Sequence, residues 1–182
     1  MDLPVQVQRL CGDFENRLVK RPDFLEQCAR LVADRVGCSR AGIWIFQGDK
    51  PSLRMHCLAM FDGVSGQMSQ VPDEEGLSVS DYFLALEQTG HVIATDARVH
   101  FATAGFFEQW LEPNGVKSLL AAAFSVNGRL YGAFTCAQVG DQLEWSRAQL
   151  AILRQIGARI SLALANADRA ATDTQPALLS SP

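Results

Sequence analysis

Asn127-Gly128 separates two apolar, alternating segments, residues 116–126 and 129–139. Asn and Gly both tolerate the positive φ of a type I′ turn, whose twist matches that of paired strands. The two segments are therefore expected to form an antiparallel hairpin with a fixed register. Gly132 and the alanines at 121, 122 and 123 leave room for a close neighbour on this sheet, either a packed helix or a ligand.

The rest of the pattern fits around that hairpin. Residues 41–49 alternate, with Ile43 and Ile45 on one face and Trp44 and Phe46 on the other, and 51–63 read as the partner strand. Gly48-Asp49-Lys50 supplies the connecting turn. Residues 62–78 are rich in Gly, Ser, Asp and Pro and read as loop, with room for a short strand near Met68. Residues 91–97 form another short strand. Helical periodicity marks 5–19, 23–36, 78–90 (capped by Ser78 or Ser80), 103–115 and 144–170. Two hairpins and no Gly-rich phosphate loop after a strand argue against a doubly wound parallel sheet. The expected class is α+β: an antiparallel sheet of five or six strands with helices on both faces, the last helix opposite the 78–90 and 103–115 helices. Residues 1–20 are expected as an N-terminal amphipathic helix, 21–170 as the domain, and 171–182 as a flexible tail or linker.

Composition narrows the function. Across 182 residues, 48% hydrophobic and 20% charged content suits a globular core. A net charge of −4 without a Lys/Arg stripe offers no footprint for nucleic acid. There is no signal-like h-region and no apolar run of membrane-spanning length, so a cytoplasmic location is expected. Cys11, Cys28, Cys38, Cys57 and Cys136 are odd in number and include no CxxC, which predicts thiols rather than disulfides or a metal site. His56, His91 and His100 lack metal-ligand spacing. Asp73, Glu74 and Glu75 read as solvated surface, and Ser65 in GVSGQ does not form a nucleophile elbow. No catalytic residue is assigned, and an enzyme is not expected. The aromatic residues Phe61, Tyr82, Phe83, Phe106, Phe107 and Trp110 fall in or beside segments that close one sheet face. They are either core or the walls of an apolar pocket, for which Asp96, Arg98, Thr103 and Tyr131 are possible polar contacts.

The ordered set Asp96-Ala97, Trp110-Leu111, Gly115-Val116-Lys117-Ser118-Leu119-Leu120, Gly128-Arg129-Leu130-Tyr131-Gly132 and Trp145 resembles the GAF domain family over about Asp23 to Ala167. That family is found beside histidine kinases and diguanylate cyclases. The resemblance implies a PAS-related fold and a non-catalytic module that senses a small molecule or relays a signal. The alternatives are a dimerisation module with a filled pocket, or a small redox enzyme related to free methionine-R-sulfoxide reductase. It also places His100 in a loop like the family's mobile pocket wall. The pocket candidates are then Phe61, Tyr82, Phe83, Asp96, Arg98, His100, Thr103, Phe106, Trp110 and Tyr131. The chain departs from the family's known chemistries. The Asn-Lys-x-Asp-Glu signature of cyclic-nucleotide binders and the reductase cysteine motifs are absent, and Ala122 or Ala123 stands where proline is common. The Cys-His pair of bilin-binding members is also missing, since Met55-His56-Cys57 has the reverse order. The ligand and any cofactor stay open.

The terminal helices suggest a partner. Pro22 separates helix 5–19 from the domain and leaves it free to pack elsewhere, while Leu162, Ala163, Leu164 and Ala165 keep the last helix apolar near its end. A homodimer through 5–19 and 144–168 is expected, with a kinase or cyclase output domain or partner downstream.

Overall fold

The computed structural model describes residues 2–48, 53–71, 79–126 and 128–173. The Asp49-Lys50 turn, the Ser78 cap, the Asp73-Glu74-Glu75 cluster, the turn residue Asn127 and tail residues 174–182 lie outside the described residues. The elements run α1 (Leu3–Glu15), α2 (Arg21–Val36), β1 (Arg40–Gln47), β2 (Arg54–Asp62), β3 (Gln67–Met68), α3 (Ser80–Thr89), β4 (His91–Ala94), α4 (Phe101–Phe106), a π-helical turn (Phe107–Leu111), β5 (Val116–Val126), β6 (Arg129–Val139) and α5 (Arg147–Asp173).

Six strands make one sheet in the order β3-β2-β1-β6-β5-β4, with antiparallel pairing throughout. β5 and β6 pair from Val116↔Val139 to Val126↔Arg129, around a Gly128 at φ +77°. The expected short strand near Met68 is β3. Helices cover both faces. On one, α1, α2 and α5 pack over Ile43, Leu120, Phe134 and Cys136. On the other, α3, α4 and the π turn pack over Leu119, Ala121, Ala133 and Ala137. The period-2 alternation of β5 thus sends Leu119 and Leu120 into opposite cores.

Three bulges break this alternation. Ile43 pairs with Ala59 and Trp44 with Cys57, so Leu58 is extra on β2. Lys117 is extra on β5, and Tyr131 is extra on β6 between Gly132 and Leu130. A bulge reverses the facing of every residue beyond it relative to simple alternation.

The room left by Gly132 is taken by neither a helix nor a ligand. A Cβ there would collide with the Trp44 carbonyl oxygen and the Phe124 ring. The close helix approach comes instead at Gly157 of α5, where a Cβ would lie 2.8 Å from the Phe134 ring.

α1 also differs from expectation. It ends at Glu15 rather than 19, the chain turns through Arg17 at φ +60°, and Leu18 is 74% exposed. Its apolar face is not available to another molecule. Val7, Leu10, Cys11 and Phe14 are buried against α2 and α5, and the Phe14 ring stacks on Phe24 at 4.2 Å. Asn166 Nδ2 donates to Glu15 Oε1 at 2.9 Å, which ties α1 to the far end of α5. The expected 103–115 helix is shorter and composite: α4 passes into a π turn closed by the Glu112 N–H donating to the Phe107 carbonyl at 2.8 Å.

Candidate functional site

The α3/α4 face gathers most of the aromatic candidates. α3 carries Tyr82, Phe83 and Leu86 toward the sheet and is stopped by Gly90 in the left-handed region, at φ +72°. Tyr82 is fully buried. Phe106 meets its ring edge-on at 5.5 Å, and Phe46 of β1 lies 6.4 Å away. Phe46 also receives Phe83 edge-on at 5.0 Å. Trp110, on the π turn, packs edge-on against Trp44 of β1 at 5.3 Å. The Trp44 indole lies across Gly42, and its Nε1 donates to Thr135 Oγ1 at 3.0 Å.

Within this apolar cluster the Tyr82 hydroxyl has no hydrogen-bond partner among the described residues. Burial holds its acidity far below that of an ordinary phenol, so the group is a neutral O–H at every physiological pH. A buried hydroxyl normally finds an acceptor.

Four polar candidates belong to the β4–α4 connection and serve its geometry. Thr103 Oγ1 is buried and donates to the Ala97 carbonyl at 2.6 Å. Asp96 Oδ1 accepts from the Arg98 N–H at 3.0 Å, an Asx-type turn, and Arg98 is exposed. His100 caps α4: its Nδ1 accepts from the Ala102 N–H at 3.2 Å, which requires a neutral ring, and burial lowers its pKa. A capping role accounts for His100 without a ligand.

The remaining two candidates lie outside this aromatic cluster. Phe61 lies in the α1/α2/α5 core with the Arg30 guanidinium 4.5 Å above its ring. Tyr131, displaced by the bulge, leans on Phe124 at 5.8 Å and stands at the sheet end. Sequence reading passed over Trp44, Phe46, Leu86 and Leu130 as wall residues. The Trp44/Phe46 alternation was visible, but nothing local said which helices would cover it.

Two open grooves of ligand size flank the sheet end. The first, about 870 Å³, runs between α3 and the β5–β6 hairpin. Phe46, Leu53, Phe83, Leu86 and Leu130 give it an apolar wall, and Glu87, Ser125, Arg129 and Tyr131 a polar rim. The second, about 910 Å³, lies along α5 beside Phe124, Tyr131, Arg154, Leu162, Ala165 and Asp168. Ala123, Ser125 and Tyr131 border both grooves.

All five cysteines are thiols with no disulfide between them. Cys11, Cys28, Cys38 and Cys136 pack in the core away from the α3/α4 face. Burial pushes the Cys11 thiol to about 11 and the Cys28 and Cys136 thiols well up. Among the described residues no cluster of His, Cys, Asp or Glu could hold a metal ion, and no helix is long and apolar enough to cross a membrane.

The model of the GAF domain family matches residues 21–164. The chain belongs to the GAF domain family. As a GAF domain it is a small-molecule-sensing or signal-relay regulatory module, not an enzyme. No curated protein sequence matches it significantly. Among solved structures, the phycocyanobilin-bound GAF domain from a cyanobacterial phytochrome superposes with a TM-score of 0.72 at 14% identity, covering 93% of this chain and 97% of that one. The phycoerythrobilin-bound form from a cyanobacterial phytochrome gives 0.69 at 16% identity, covering 93% and 98%. The photoproduct state of GAF3 from Slr1393 of Synechocystis sp. PCC6803 gives 0.64 at 15% identity, covering 86% and 100%. At these identities the GAF domain shares their fold. The reductase alternative finds no support: four of its five cysteines lie in the core opposite the α3/α4 face, and Cys57 sits apart from them on β2.

Proposed function

We propose that this GAF domain is a cytoplasmic sensor that holds a small, largely apolar molecule bearing a hydrogen-bond acceptor on its α3/α4 face. The observation that carries the reading is the Tyr82 hydroxyl, buried among Phe46, Phe83 and Phe106 with no partner among the described residues. An acceptor on the ligand satisfies it. The ligand enters by the groove between α3 and the β5–β6 hairpin, whose volume suits a drug-sized molecule. Phe106 backs the Tyr82 ring, and Trp110 lies on the same sheet face against Trp44.

The signal leaves through α5. Arg154 of α5 reaches the α3–β4 turn, where its Nη2 lies 2.9 Å from His91 Nδ1 and 3.4 Å from the Thr89 carbonyl. A shift of α3 on binding is thus felt by α5. With α1 packed inward, the homodimer forms through α5, along the groove that Leu162 and Tyr131 border. A kinase or cyclase output domain or partner receives the movement.

The test is a thermal-shift screen of metabolites, with biliverdin and phycocyanobilin included because bilins occupy the structural relatives. Binding is expected to raise Tm. Tyr82→Phe and Trp110→Ala should reduce that shift, while the exposed Arg147→Ala leaves it intact. A second reading, a relay module with a filled face, draws on the Trp44–Trp110 packing that already occupies the sheet. A complete panel with no shift favours it.

A further inference from the structure

The turn between α3 and β4 offers one ring nitrogen to two partners. His91 Nδ1 lies 2.9 Å from the Thr89 carbonyl oxygen, in its own turn, and 2.9 Å from Arg154 Nη2 of α5. The same Nη2 lies 3.4 Å from the Thr89 carbonyl, and a Cβ on Gly90 would sit 3.7 Å from it. A guanidinium only donates, so the Arg154 contact needs a lone pair on Nδ1. A carbonyl only accepts, so the Thr89 contact needs a proton there. The two contacts exclude one another. In the neutral ring the proton can reside on Nε2, which leaves Nδ1 to Arg154. In the imidazolium both nitrogens carry protons. Nδ1–H then serves Thr89, and two cations face each other where a hydrogen bond stood. Arg154 is the cation that α5 sets against the ring, and Glu87 is the carboxylate on the last turn of α3. β5 opposes His91 with Ala122, which carries no charge.

We propose that His91 is an acid-sensitive latch between the α3–β4 turn and α5. The neutral ring accepts the Arg154 guanidinium and holds α5 to the turn. Protonation of the ring gives Nδ1 to the Thr89 carbonyl, repels Arg154 and frees α5 at that point. Imidazole is the side chain whose charge changes in the mildly acidic range, so the release belongs to a fall in pH. β4 is an edge strand of the sheet and His91 is half-buried, so a proton reaches the ring without unfolding the domain. The meaning of the release rests on the sensing reading: the contact that carries a shift of α3 to α5 is open in acid, whether or not the Tyr82 face is filled. The latch itself requires no ligand.

The test uses the full chain, nitrogen-labelled and without added ligand, followed by NMR from about pH 8 to about pH 5.5, across the range in which imidazoles titrate. At the alkaline end the His91 ring should show the Nε2–H tautomer. On acidification the backbone amides of α5 around Arg154 should shift in step with the His91 ring. His91→Gln, which keeps an acceptor for Arg154 without a titrating ring, should abolish that shift. Arg154→Ala, a change at an exposed position that the fold tolerates, should abolish it too. His100→Asn and Glu87→Gln should keep it, which separates the latch from the α4 cap and from the neighbouring carboxylate. An Nδ1–H ring at the alkaline end would overturn the proposal. So would α5 amides that stay fixed while the ring titrates, or an α5 shift that persists in His91→Gln or Arg154→Ala. A metabolite screen that finds no ligand leaves this result untouched, and a failed latch leaves the Tyr82 site standing.

Discussion

His100 shows how one residue answers to two descriptions. Its place after Asp96 and Arg98 suits a pocket wall, yet its Nδ1 is occupied by the Ala102 N–H as the cap of α4. Burial lowers its pKa, so the folded state binds fewer protons than the unfolded chain. The stability this gives is present above the unfolded value, about 6.5, and is lost as pH falls from there toward the lowered folded value. His100→Asn keeps an acceptor for the cap without a titrating ring. Urea melts between pH 7.5 and 5 should show the wild type losing more stability than His100→Asn; parallel losses would remove His100 as the cause. Tyr131 and Phe61 illustrate what residue type alone leaves out. Both are aromatic and lie near the expected site, but a bulge sets Tyr131 on the rim shared by the two grooves, and Phe61 falls on the opposite parity of β2. Bulges follow from the packing of neighbouring strands, which the sequence of one strand does not encode. Trp110 is half-buried, so Trp110→Ala should cost about 2 kcal/mol, below the range for a fully buried aromatic.

At the scale of elements, the β5–β6 hairpin was legible because every cue for it is local: alternation, then a turn pair that accepts positive φ, then alternation again. Helix ends marked by Gly37 and Gly90 were equally plain. The partner of α1 was not. Amphipathicity shows that Val7, Leu10 and Phe14 want burial, but it does not say against what. The structure buries them on α2 and α5 of the same chain. Leu10→Ala should therefore cost about 2–4 kcal/mol in urea unfolding, while Val5→Ala, at an exposed position, stays within about 0.5 kcal/mol. Equal, small effects would mean that α1 is detached in solution. The π turn was also hidden. Phe107 through Leu111 read as ordinary helix, whereas the π turn sets Trp110 beside Trp44 and Leu111 in the core.

The whole molecule is a sheet between two helical layers with different duties in the proposed sensor. One layer holds the Tyr82 cluster; the other ends in α5, on which Leu162 is 45% exposed beside an open groove. If α5 carries the dimer, light scattering should find a mass of twice 19.9 kDa that falls to the monomer in Leu162→Glu. A dimer that survives the change would lie elsewhere. The sensing role itself turns on one oxygen. A ligand found by thermal shift should be titrated calorimetrically against wild type and Tyr82→Phe. Removing a hydroxyl that lacks a partner among the described residues should leave the fold's stability intact and weaken binding by about tenfold, the equivalent of ~1.4 kcal/mol. Equal affinity for the two proteins would contradict the assignment of the ligand to the Tyr82 hydroxyl.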